Sequence, residues 1–353
     1  MMEVTFHNRE SEIKEIMNTL SVKPRLITFI YGPINSGKTE LITNLIEQLP
    51  ENYVVFYINL RGKFISNYDD FVRALFKLDR EKKEYKEILK TISEVSLKSL
   101  KFAGIPITEG ILDLFFREKT YEDVFEFLED YFTEIAENKI PVLIVDELQK
   151  IGDVRINTHL IYELFNLFIR LTKELHLCHV FAVTSDSLFI ERVYNEAMLE
   201  GRCRYSLVDD FDSETTLAFL GKYGFTDDEK MMAWEYCGGK PVCLIELINT
   251  GENRRERVEE MIGIRTGQIE GLIEDAKAFG YKISYGAEEI VLNEEQILEG
   301  LEPFRTKDCL KSNELSKPVK LGLIKANILF LDPVKQIIKP QSRLNLLAIR
   351  EVI

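Results

Sequence analysis

A chain of 353 residues is longer than one hydrophobic core usually supports, so two or three domains are expected. Its 45% hydrophobic and 29% charged residues are typical of a globular protein, and its net charge of −14 argues against a general cationic nucleic-acid coat. No apolar run is long enough to cross a bilayer or resembles a secretory signal, and the five cysteines form no C-x-x-C pair. We therefore expect a cytoplasmic protein without a membrane contact or a structural zinc site.

The first predicted element is a helix from Glu10 to Leu20. Acidic side chains occupy its first turn, where they interact favourably with the helix dipole, and Asn8 is placed to act as its N-cap. On physical grounds alone this segment predicts no more than a capped amphipathic helix.

A phosphate-binding pattern follows, between a strand and a helix. The apolar run from Leu26 to Ile30 predicts the strand, and the amphipathic segment from Glu40 to Leu49 predicts the helix. The pattern between them is G-x-x-x-x-G-K-T, and its residues are Gly32, Pro33, Ile34, Asn35, Ser36, Gly37, Lys38 and Thr39. The two glycines let the backbone turn so that successive N–H groups point at an anion.

This loop predicts a nucleotide phosphate site. Lys38 can reach the β- and γ-phosphates, and the Thr39 hydroxyl can bind Mg²⁺. The first turn of the following helix adds the positive end of its dipole. The alternative is an accidental glycine turn, which the flanking strand and helix disfavour.

The next stretch predicts one buried strand and a mostly helical layer. The strand covers Val54 to Asn59, and its continuous apolar run is typical of a parallel sheet. Helices are predicted from Tyr68 to about Leu78 and from Tyr121 to Ala136. We interpret residues 81–119 as a helical insertion, with a partner-docking flap as the alternative, from an imperfect stripe of Leu89, Ile92, Val95, Leu97 and Leu100.

A second chemical motif ends the next predicted strand. The apolar run from Ile140 to Val145 stops at Asp146 and Glu147. Carboxylates at the C-terminal end of a parallel strand face the same crevice as a phosphate loop on that sheet. Asp146 is placed to hold the Mg²⁺ that Thr39 also binds, and Glu147 can polarise a water for attack on the γ-phosphate.

A polar residue also ends the following strand. A helix from His159 to Leu175 leads to a strand from His179 to Val183, which ends at Thr184. Beside the Asp146 strand, Thr184 could contact the γ-phosphate or the attacking water. The alternative, which does not exclude the first, is an N-capping cluster for a helix that begins near Leu188.

Arg202 is a further candidate for phosphate contact. It precedes a short predicted strand from Tyr205 to Val208. An arginine at a strand edge can stabilise phosphate charge, either in cis or across a subunit contact. A surface cation is the alternative, and the sequence does not decide between them.

From Ser213 onward the periodicity is helical. Helices that begin at Ser213, Asp227 and Pro241 predict a three-helix unit, which ends in a linker at Thr250 to Asn253. Residues 254–353 predict a separate domain with a long helix, two hairpins and a closing helix, an order typical of a winged helix. Such modules bind duplex DNA in some proteins and other proteins elsewhere, and basic residues prevail here after Leu301.

Taken together, the motifs resemble the archaeal ATPase family, in the STAND branch of AAA+-like P-loop NTPases. The resemblance covers almost the whole chain. Its most specific parts are the phosphate loop and Asp146-Glu147-Leu148-Gln149. The other matching features are Thr184, Gly201-Arg202, Gly239-Lys240-Pro241 and the opening segment Phe6-His7-Asn8-Arg9-Glu10. At Ser185 the sequence departs from the family, which more often has a glycine after the threonine.

The resemblance implies an α/β fold: a P-loop NTPase with a parallel five-stranded sheet, a helical lid and a C-terminal winged-helix domain. It also implies ATP rather than GTP, with the opening helix and Arg9 near the adenine. Gly239 and Pro241 would contact the nucleotide from the lid. We expect an ATPase domain over residues 1–210, the lid over 211–253 and the winged-helix-like domain over 254–353.

The function we expect is slow, Mg²⁺-dependent ATP hydrolysis that switches the conformation of the protein. ATP and ADP are the expected ligands, together with a protein partner and a nucleotide-dependent oligomer. The main alternative is a DNA-associated protein resembling replication initiators, in which the winged helix contacts duplex DNA. A structural nucleotide-binding protein without turnover is the third hypothesis.

Overall fold

The computed structural model describes residues 4–79, 81–82, 84–94, 100–118, 121–151, 155–156, 158–196, 199–285 and 288–353. Its helices are α1 (Glu10–Leu20), α2 (Lys38–Gln48), α3 (Tyr68–Leu75), α4 (Tyr85–Glu94), α5 (Glu109–Glu118), α6 (Tyr121–Ala136), α7 (Leu160–Ile169), α8 (Ser187–Glu196), α9 (Ser213–Gly221), α10 (Asp227–Cys237), α11 (Pro241–Thr250), α12 (Arg254–Phe279), α13 (Glu294–Leu301), α14 (Lys317–Lys325) and α15 (Arg343–Val352). Within the described ranges, none of the helices combines the length and apolarity that a bilayer span requires.

The strands are β1 (Ile27–Tyr31), β2 (Tyr53–Asn59), β3 (Phe76–Leu78), β4 (Leu100–Phe102), β5 (Ile105–Ile107), β6 (Ile140–Asp146), β7 (Arg155–Ile156), β8 (Thr158–His159), β9 (His179–Thr184), β10 (Cys203–Leu207), β11 (Tyr281–Tyr285), β12 (Glu288–Leu292), β13 (Leu310–Lys311), β14 (Leu329–Asp332) and β15 (Ile337–Pro340). Short 3₁₀ turns occur at Leu148–Ile151, Glu302–Arg305 and Ser312–Glu314, and a π-helical turn at Arg170–Glu174 extends α7.

Six parallel strands form the central sheet, in the spatial order β10-β1-β9-β6-β2-β4. The expected α/β fold with a parallel sheet is confirmed, but β4 adds a sixth strand beside β2 to the five that were expected. Strand β9 lies between β1 and β6. The carboxyl ends of these three strands, which carry Thr184, the phosphate loop and Asp146, therefore lie side by side.

Alternate residues of the central strands enter two different hydrophobic cores. In β1, Phe29 packs in the core that contains Phe165 of α7, whereas Ile30 packs in the core that contains Leu41 and Leu45 of α2. Helices cover both faces of the sheet, so β1, β6 and β9 are buried along almost their whole length. This two-sided burial explains why these strands appear in the sequence as continuous apolar runs.

The layer between β2 and β6 is less helical than expected. Helix α3 ends at Leu75, and the last predicted residues of that helix form β3, which pairs with β5. Residues 81–119 contain α4 and α5 but also β4 and β5, so the prediction of a purely helical insertion is wrong. Short apolar segments of this kind become strands when an existing strand offers backbone partners, here β2 and β3. Val95 and Leu97, two members of the predicted stripe, lie outside the described residues.

Helix α12 packs against both the predicted lid (residues 211–253) and the C-terminal core. Val258 and Ile262 of α12 pack with the lid helices α9, α10 and α11, whereas Ile269 and Ile273 pack in the C-terminal core. The division of the chain at residues 210 and 253 stays a prediction. Both predicted hairpins are present, β11–β12 and β14–β15, and β13 joins the second to give the order β13-β15-β14. The assignment of this region as a winged helix also stays a prediction.

The β14–β15 hairpin lies directly against the phosphate-loop strand. The Tyr31 hydroxyl at the end of β1 donates to Asp332 Oδ1 at 2.9 Å, and the backbone N–H of Ile34 donates to Gln341 Oε1 at 3.1 Å. Lys339 forms an ion pair with Asp209 at 2.5 Å. Burial, followed by the negative charge of Asp332, raises the pKa of Tyr31, so its hydroxyl stays a donor.

We predict that Tyr31→Phe weakens the attachment of the C-terminal region to the sheet. The change removes a buried hydrogen bond to a carboxylate, which costs about 2 kcal/mol of folding free energy. A calorimetric scan should show a lower unfolding temperature than the wild type. The matched control is Tyr236→Phe in the lid, and an equal decrease in both variants would contradict the importance of this contact.

Candidate functional site

The backbone of the Gly32–Thr39 loop has the conformation that a phosphate cradle requires. Asn35 and Gly37 both adopt positive φ angles, of 60° and 91°. A Cβ atom on Gly32 would lie 2.1 Å from the carbonyl oxygen of Val208, so this close approach of two backbones accepts only glycine. Helix α2 begins at Lys38, so its N-terminus points into the same space.

Lys38 is folded back onto the loop that precedes it. Its ammonium donates to the carbonyl oxygens of Gly32 at 3.0 Å and Pro33 at 2.8 Å. Burial, followed by the positive charge of Lys240, lowers the pKa of Lys38 to about 8. An anion in the cradle would oppose both effects and favour the charged ammonium.

Asp146 and Thr39 meet at the end of β6. The Thr39 hydroxyl donates to Asp146 Oδ2 at 3.0 Å, and the Tyr57 hydroxyl donates to the same oxygen at 2.8 Å. The other carboxylate oxygen, Oδ1, accepts from the backbone N–H of Glu147 at 2.9 Å. The buried carboxylate is therefore held next to the first turn of α2, where the sequence had placed it.

Glu147 projects towards the loop from a left-handed backbone position. Its φ angle is 61°, an uncommon conformation for a residue with a side chain. Its Oε1 accepts from Arg61 at 2.5 Å, and its Oε2 accepts from Gln149 at 2.7 Å. Both oxygens of the predicted base are thus engaged in this structure.

Thr184 ends β9, as predicted, but its hydroxyl does not line the loop cavity. The side chain is buried, and its Oγ1 donates to Gln149 Oε1 at 2.7 Å. Its neighbour Ser185 lines the cavity instead. Because the hydroxyl donates its hydrogen bond to Gln149, the predicted direct contact with a phosphate has no support in this geometry. Thr184 also accepts from the N–H of Asp186 at 3.0 Å, and Asp186 Oδ1 accepts from the N–H of Phe189 at 3.1 Å in the first turn of α8, in agreement with the capping alternative.

The cavity beside the loop has a polar end and an aromatic end, with a volume of about 420 Å³. Gly37, Lys38 and Thr39 line the polar end. The aromatic end is lined by Phe211, Phe219 and His7, whose ring stacks on Phe219 at a centroid distance of 5.2 Å. Burial lowers the pKa of His7.

Arg9 contacts both the phosphate loop and the segment of residues 209–211, which connects the sheet to the predicted lid and which we call the hinge. Its guanidinium donates to the carbonyl oxygens of Ser36 at 2.8 Å and Asp209 at 2.7 Å, and it lies 4.6 Å from the centroid of the Phe211 ring. Arg9 is therefore close to the cavity, as expected. The prediction that Asn8 caps α1 is wrong, because its side chain accepts from the Arg9 N–H and donates to Thr215.

The predicted lid contributes Lys240 and Pro241 to the site. Lys240 is buried, forms an ion pair with Asp210 at 2.8 Å and donates to the carbonyl oxygen of Ile34 at 3.0 Å. Pro241 lines the cavity. Gly239 lies behind it, where a Cβ atom would be 1.7 Å from the Phe211 carbonyl oxygen, so Gly239 shapes the lid rather than the cavity wall.

Arg202 lies at the amino ends of the strands, whereas the phosphate loop lies at their carboxyl ends. Its carbonyl oxygen accepts from the N–H of Ile27, the first residue of β1, whereas the loop follows Tyr31, the last residue of that strand. Because β1 and β10 are parallel, a residue that precedes β10 is at the amino end. The alternative of a phosphate contact in cis is therefore wrong, and a contact across a subunit interface stays a prediction.

Several site residues were missed from the sequence. The sequence indicates no role for Arg61, two residues beyond β2, and none for Gln149 beyond its place in the Asp146-Glu147-Leu148-Gln149 motif. Lys240 lies inside the Gly-Lys-Pro segment, in which the predicted contacts are Gly239 and Pro241. Phe211 and Phe219 come from the hinge and the first lid helix, and nothing in the sequence places aromatic rings from there next to His7.

Two family descriptions cover nearly the whole chain. Residues 6–247 match an ATPase domain predominantly from Archaea, and residues 255–353 match the C-terminal domain of uncharacterized ATP-binding proteins like MJ1010. The Methanocaldococcus jannaschii protein MJ1659, named an uncharacterized ATP-binding protein, is 45% identical, over 99% of this chain and 97% of its own. PYRAB06260 of Pyrococcus abyssi, with the same description, is 44% identical, over 99% of this chain and 98% of its own.

A solved structure has the same fold. The Walker-type ATPase PAby2304 of Pyrococcus abyssi matches with a TM-score of 0.65 over 98% of this chain and 96% of its own, at 16% identity. At this identity the likeness concerns the fold alone. With the family match over most of the chain, the loop at the end of β1 and the carboxylates at the end of β6, the chain belongs to the family of ATPase domains found predominantly in Archaea.

Proposed function

We propose that this protein binds ATP with Mg²⁺ and hydrolyses it slowly, as a nucleotide-controlled conformational switch. The observation that carries the proposal is the meeting of Thr39, Asp146 and Glu147 beside the phosphate loop. Membership of an ATPase family and relatives named as ATP-binding proteins support the same conclusion.

The polar end of the cavity suits a polyphosphate. The loop amides and the N-terminus of α2 provide donors, and Lys38 and Lys240 place two buried cations beside them. Lys38 would exchange its two backbone carbonyl partners for phosphate oxygens. The aromatic end, with His7 and Phe219, suits a flat base, which would stack on a ring and bury apolar surface.

The residues around Thr39 suit Mg²⁺. A hydroxyl and a carboxylate, 3.0 Å apart, are the oxygen donors that this ion prefers, with waters and phosphate oxygens as its remaining ligands. Bound there, Mg²⁺ would neutralise charge on the β- and γ-phosphates. Among the described residues no cluster of three or more acidic, histidine or cysteine side chains could hold a metal.

Glu147 is our candidate for the residue that activates water. In this structure Arg61, whose side chain is largely exposed, donates to Oε1. We propose that this ion pair belongs to a resting conformation and opens when a nucleotide fills the cavity. Residues 1–210 would then bind ATP, residues 211–253 would close over it through Pro241, and residues 254–353 would move with the loop through Gln341.

We predict that Lys38→Ala abolishes ATP binding. The change removes the buried cation nearest to the cradle, and the remaining amides cannot compensate the charge of a triphosphate. Isothermal titration calorimetry with ATP and Mg²⁺ measures the effect. The control is Lys14→Ala on the exposed side of α1, which should bind as the wild type does. Retained affinity in the Lys38 variant would exclude the assigned role of the loop.

We predict that Glu147→Gln preserves ATP binding but lowers turnover at least about a hundredfold, because an amide cannot accept the proton of the water. Phosphate release and calorimetry together measure the two effects. The control is the same change at the exposed Glu47 of α2. Unchanged release would show that another residue activates the water, and no release from the wild type would favour a nucleotide-binding protein without turnover.

A second candidate function, binding of duplex DNA, has one observation in its favour. A groove of about 730 Å³ in the C-terminal region is lined by Lys311, Lys317, Lys320 and Lys335, and among the described residues that line it Glu191 is the acidic one. Such a concentration of positive charge is unusual on a chain whose net charge is −14. Phosphate contacts of lysines supply sequence-independent affinity for DNA.

Under this hypothesis, replacing Lys317, Lys320 and Lys335 by Gln should weaken binding to a labelled DNA duplex and reduce its salt dependence. The logarithmic salt slope should fall by about three, because each lysine that is replaced would no longer neutralise a DNA phosphate. Fluorescence anisotropy at low salt measures both effects.

The matched control for the groove variant is a triple Gln variant at Lys277, Lys282 and Lys307. These lysines pair with acidic residues elsewhere in the same region, and their replacement changes the net charge equally. No binding by the wild type at low salt would remove the DNA hypothesis. An equal weakening in the two variants would show a general charge effect instead of a specific groove.

A further inference from the structure

The two oxygens of Glu147 are held by different kinds of partner. Arg61, which donates to Oε1, has 65% of its side chain exposed, and an ion pair with such a residue is weak and easily replaced by water. Gln149, which donates to Oε2 at 2.7 Å, is half-buried. Gln149 is therefore the more permanent of the two partners.

Gln149 is held in place by its own short turn. The turn Leu148–Ile151 follows Glu147 directly. Its two end residues are buried in the core that contains Phe165 of α7. The N–H of Lys150 donates to the carbonyl oxygen of Glu147 at 3.0 Å, which closes the turn. The side chains of Glu147 and Gln149 are thus brought together by local backbone geometry.

The hydroxyl of Thr184 determines the orientation of the Gln149 side-chain amide. This hydroxyl accepts a hydrogen bond from the N–H of Asp186 at 3.0 Å and donates one to Gln149 Oε1 at 2.7 Å. The amide nitrogen must then face Glu147. In the reversed orientation the amide oxygen would face a carboxylate, and the hydroxyl proton would lose its acceptor.

We propose that Gln149 is a positioning residue for Glu147 and that Thr184 acts through Gln149, not on the phosphate. The proposal rests on the proposed ATPase function. Gln149 holds Oε2, so that Oε1, once released by Arg61, faces the attacking water. The water oxygen forms a bond to the γ-phosphorus while the bond to the β–γ bridging oxygen breaks and ADP leaves. Oε1 takes the proton of the water and returns it to the phosphate product.

The kinetic test uses Gln149→Leu, Thr184→Val and the double variant. Removal of the hydrogen bond to the carboxylate should lower kcat about tenfold or more in Gln149→Leu, with KM for ATP unchanged. Thr184→Val should lower kcat in the same way but by less. The double variant should be no slower than Gln149→Leu alone, because Thr184 has no other route to the reaction.

Two further variants separate positioning from folding. Thr184→Ser keeps the hydroxyl and should restore kcat to near the wild-type value. Thr172→Val removes another buried threonine hydroxyl, one that donates to the carbonyl oxygen of Phe168 within its own helix, and should leave kcat unchanged. Wild-type kcat in Gln149→Leu would overturn the proposal. So would a double variant whose decrease in kcat is the product of the single decreases, because Thr184 would then act independently.

A measurement without turnover tests the same contacts. The chain has six glutamines (Gln48, Gln149, Gln268, Gln296, Gln336, Gln341), so the side-chain amides of a ¹⁵N-glutamine-labelled sample can be assigned by substitution. In the nucleotide-free protein, an amide proton of Gln149 should resonate downfield and move in Glu147→Ala and Thr184→Val but not in Thr172→Val. A Gln149 signal that moves in neither Glu147→Ala nor Thr184→Val would overturn the proposal. If the Gln149 signal moves in both Glu147→Ala and Thr184→Val but the wild type releases no phosphate, the result would refute only the proposed ATPase activity.

Discussion

The carbonyl groups of the phosphate loop depend on donors from distant parts of the chain. A loop whose N–H groups converge on an anion turns its carbonyl oxygens outward, and buried carbonyl oxygens need hydrogen-bond donors. Arg9 at the start of α1 supplies one for Ser36, and Lys240 from the lid supplies one for Ile34. Gln341 from the C-terminal region accepts the Ile34 N–H. Three separate parts of the chain therefore meet at one loop.

The charges of the site are balanced only in part. Lys240 is neutralised by Asp210, whose own pKa burial raises, whereas the partners of Lys38 within the described residues are backbone carbonyls and a hydroxyl. Burial, followed by the positive charge of Lys240, lowers the pKa of Lys38, although the carboxylates of Glu147, Asp146 and Asp210 act in the opposite direction. The arrangement is consistent with a cradle whose final partner is a polyphosphate, and it gives a physical reason why nucleotide binding would change the contacts of the lid.

The neighbouring ends of β6 and β9 bring the reactive groups together. Asp146, Glu147 and Gln149 follow one strand, and Thr184 ends the next. A continuous set of hydrogen bonds joins Asp186, Thr184, Gln149 and Glu147, while Arg61 reaches the same carboxylate from the end of β2. The buried part of this network is tied to the rigid sheet, and the exposed part is free to exchange. That difference is consistent with the resting and active arrangements that we propose for Glu147.

The sequence by itself determined the features whose residues are contiguous. The phosphate loop, the apolar strands and the Asp146-Glu147 pair are local patterns, because glycine positions, buried strands and strand ends impose their requirements on neighbouring residues. The tertiary structure decided which distant side chains complete the site. Phe211, Lys240 and Gln341 reach the loop only through the order of strands and the docking of the lid and hairpin. Because β10 is parallel to β1, Arg202 lies at the end of the sheet away from the loop. Pairing with β2 and β3 likewise makes the short apolar segments β4 and β5 strands. Long-range packing selects such contacts, and no short stretch of sequence contains the information that packing uses.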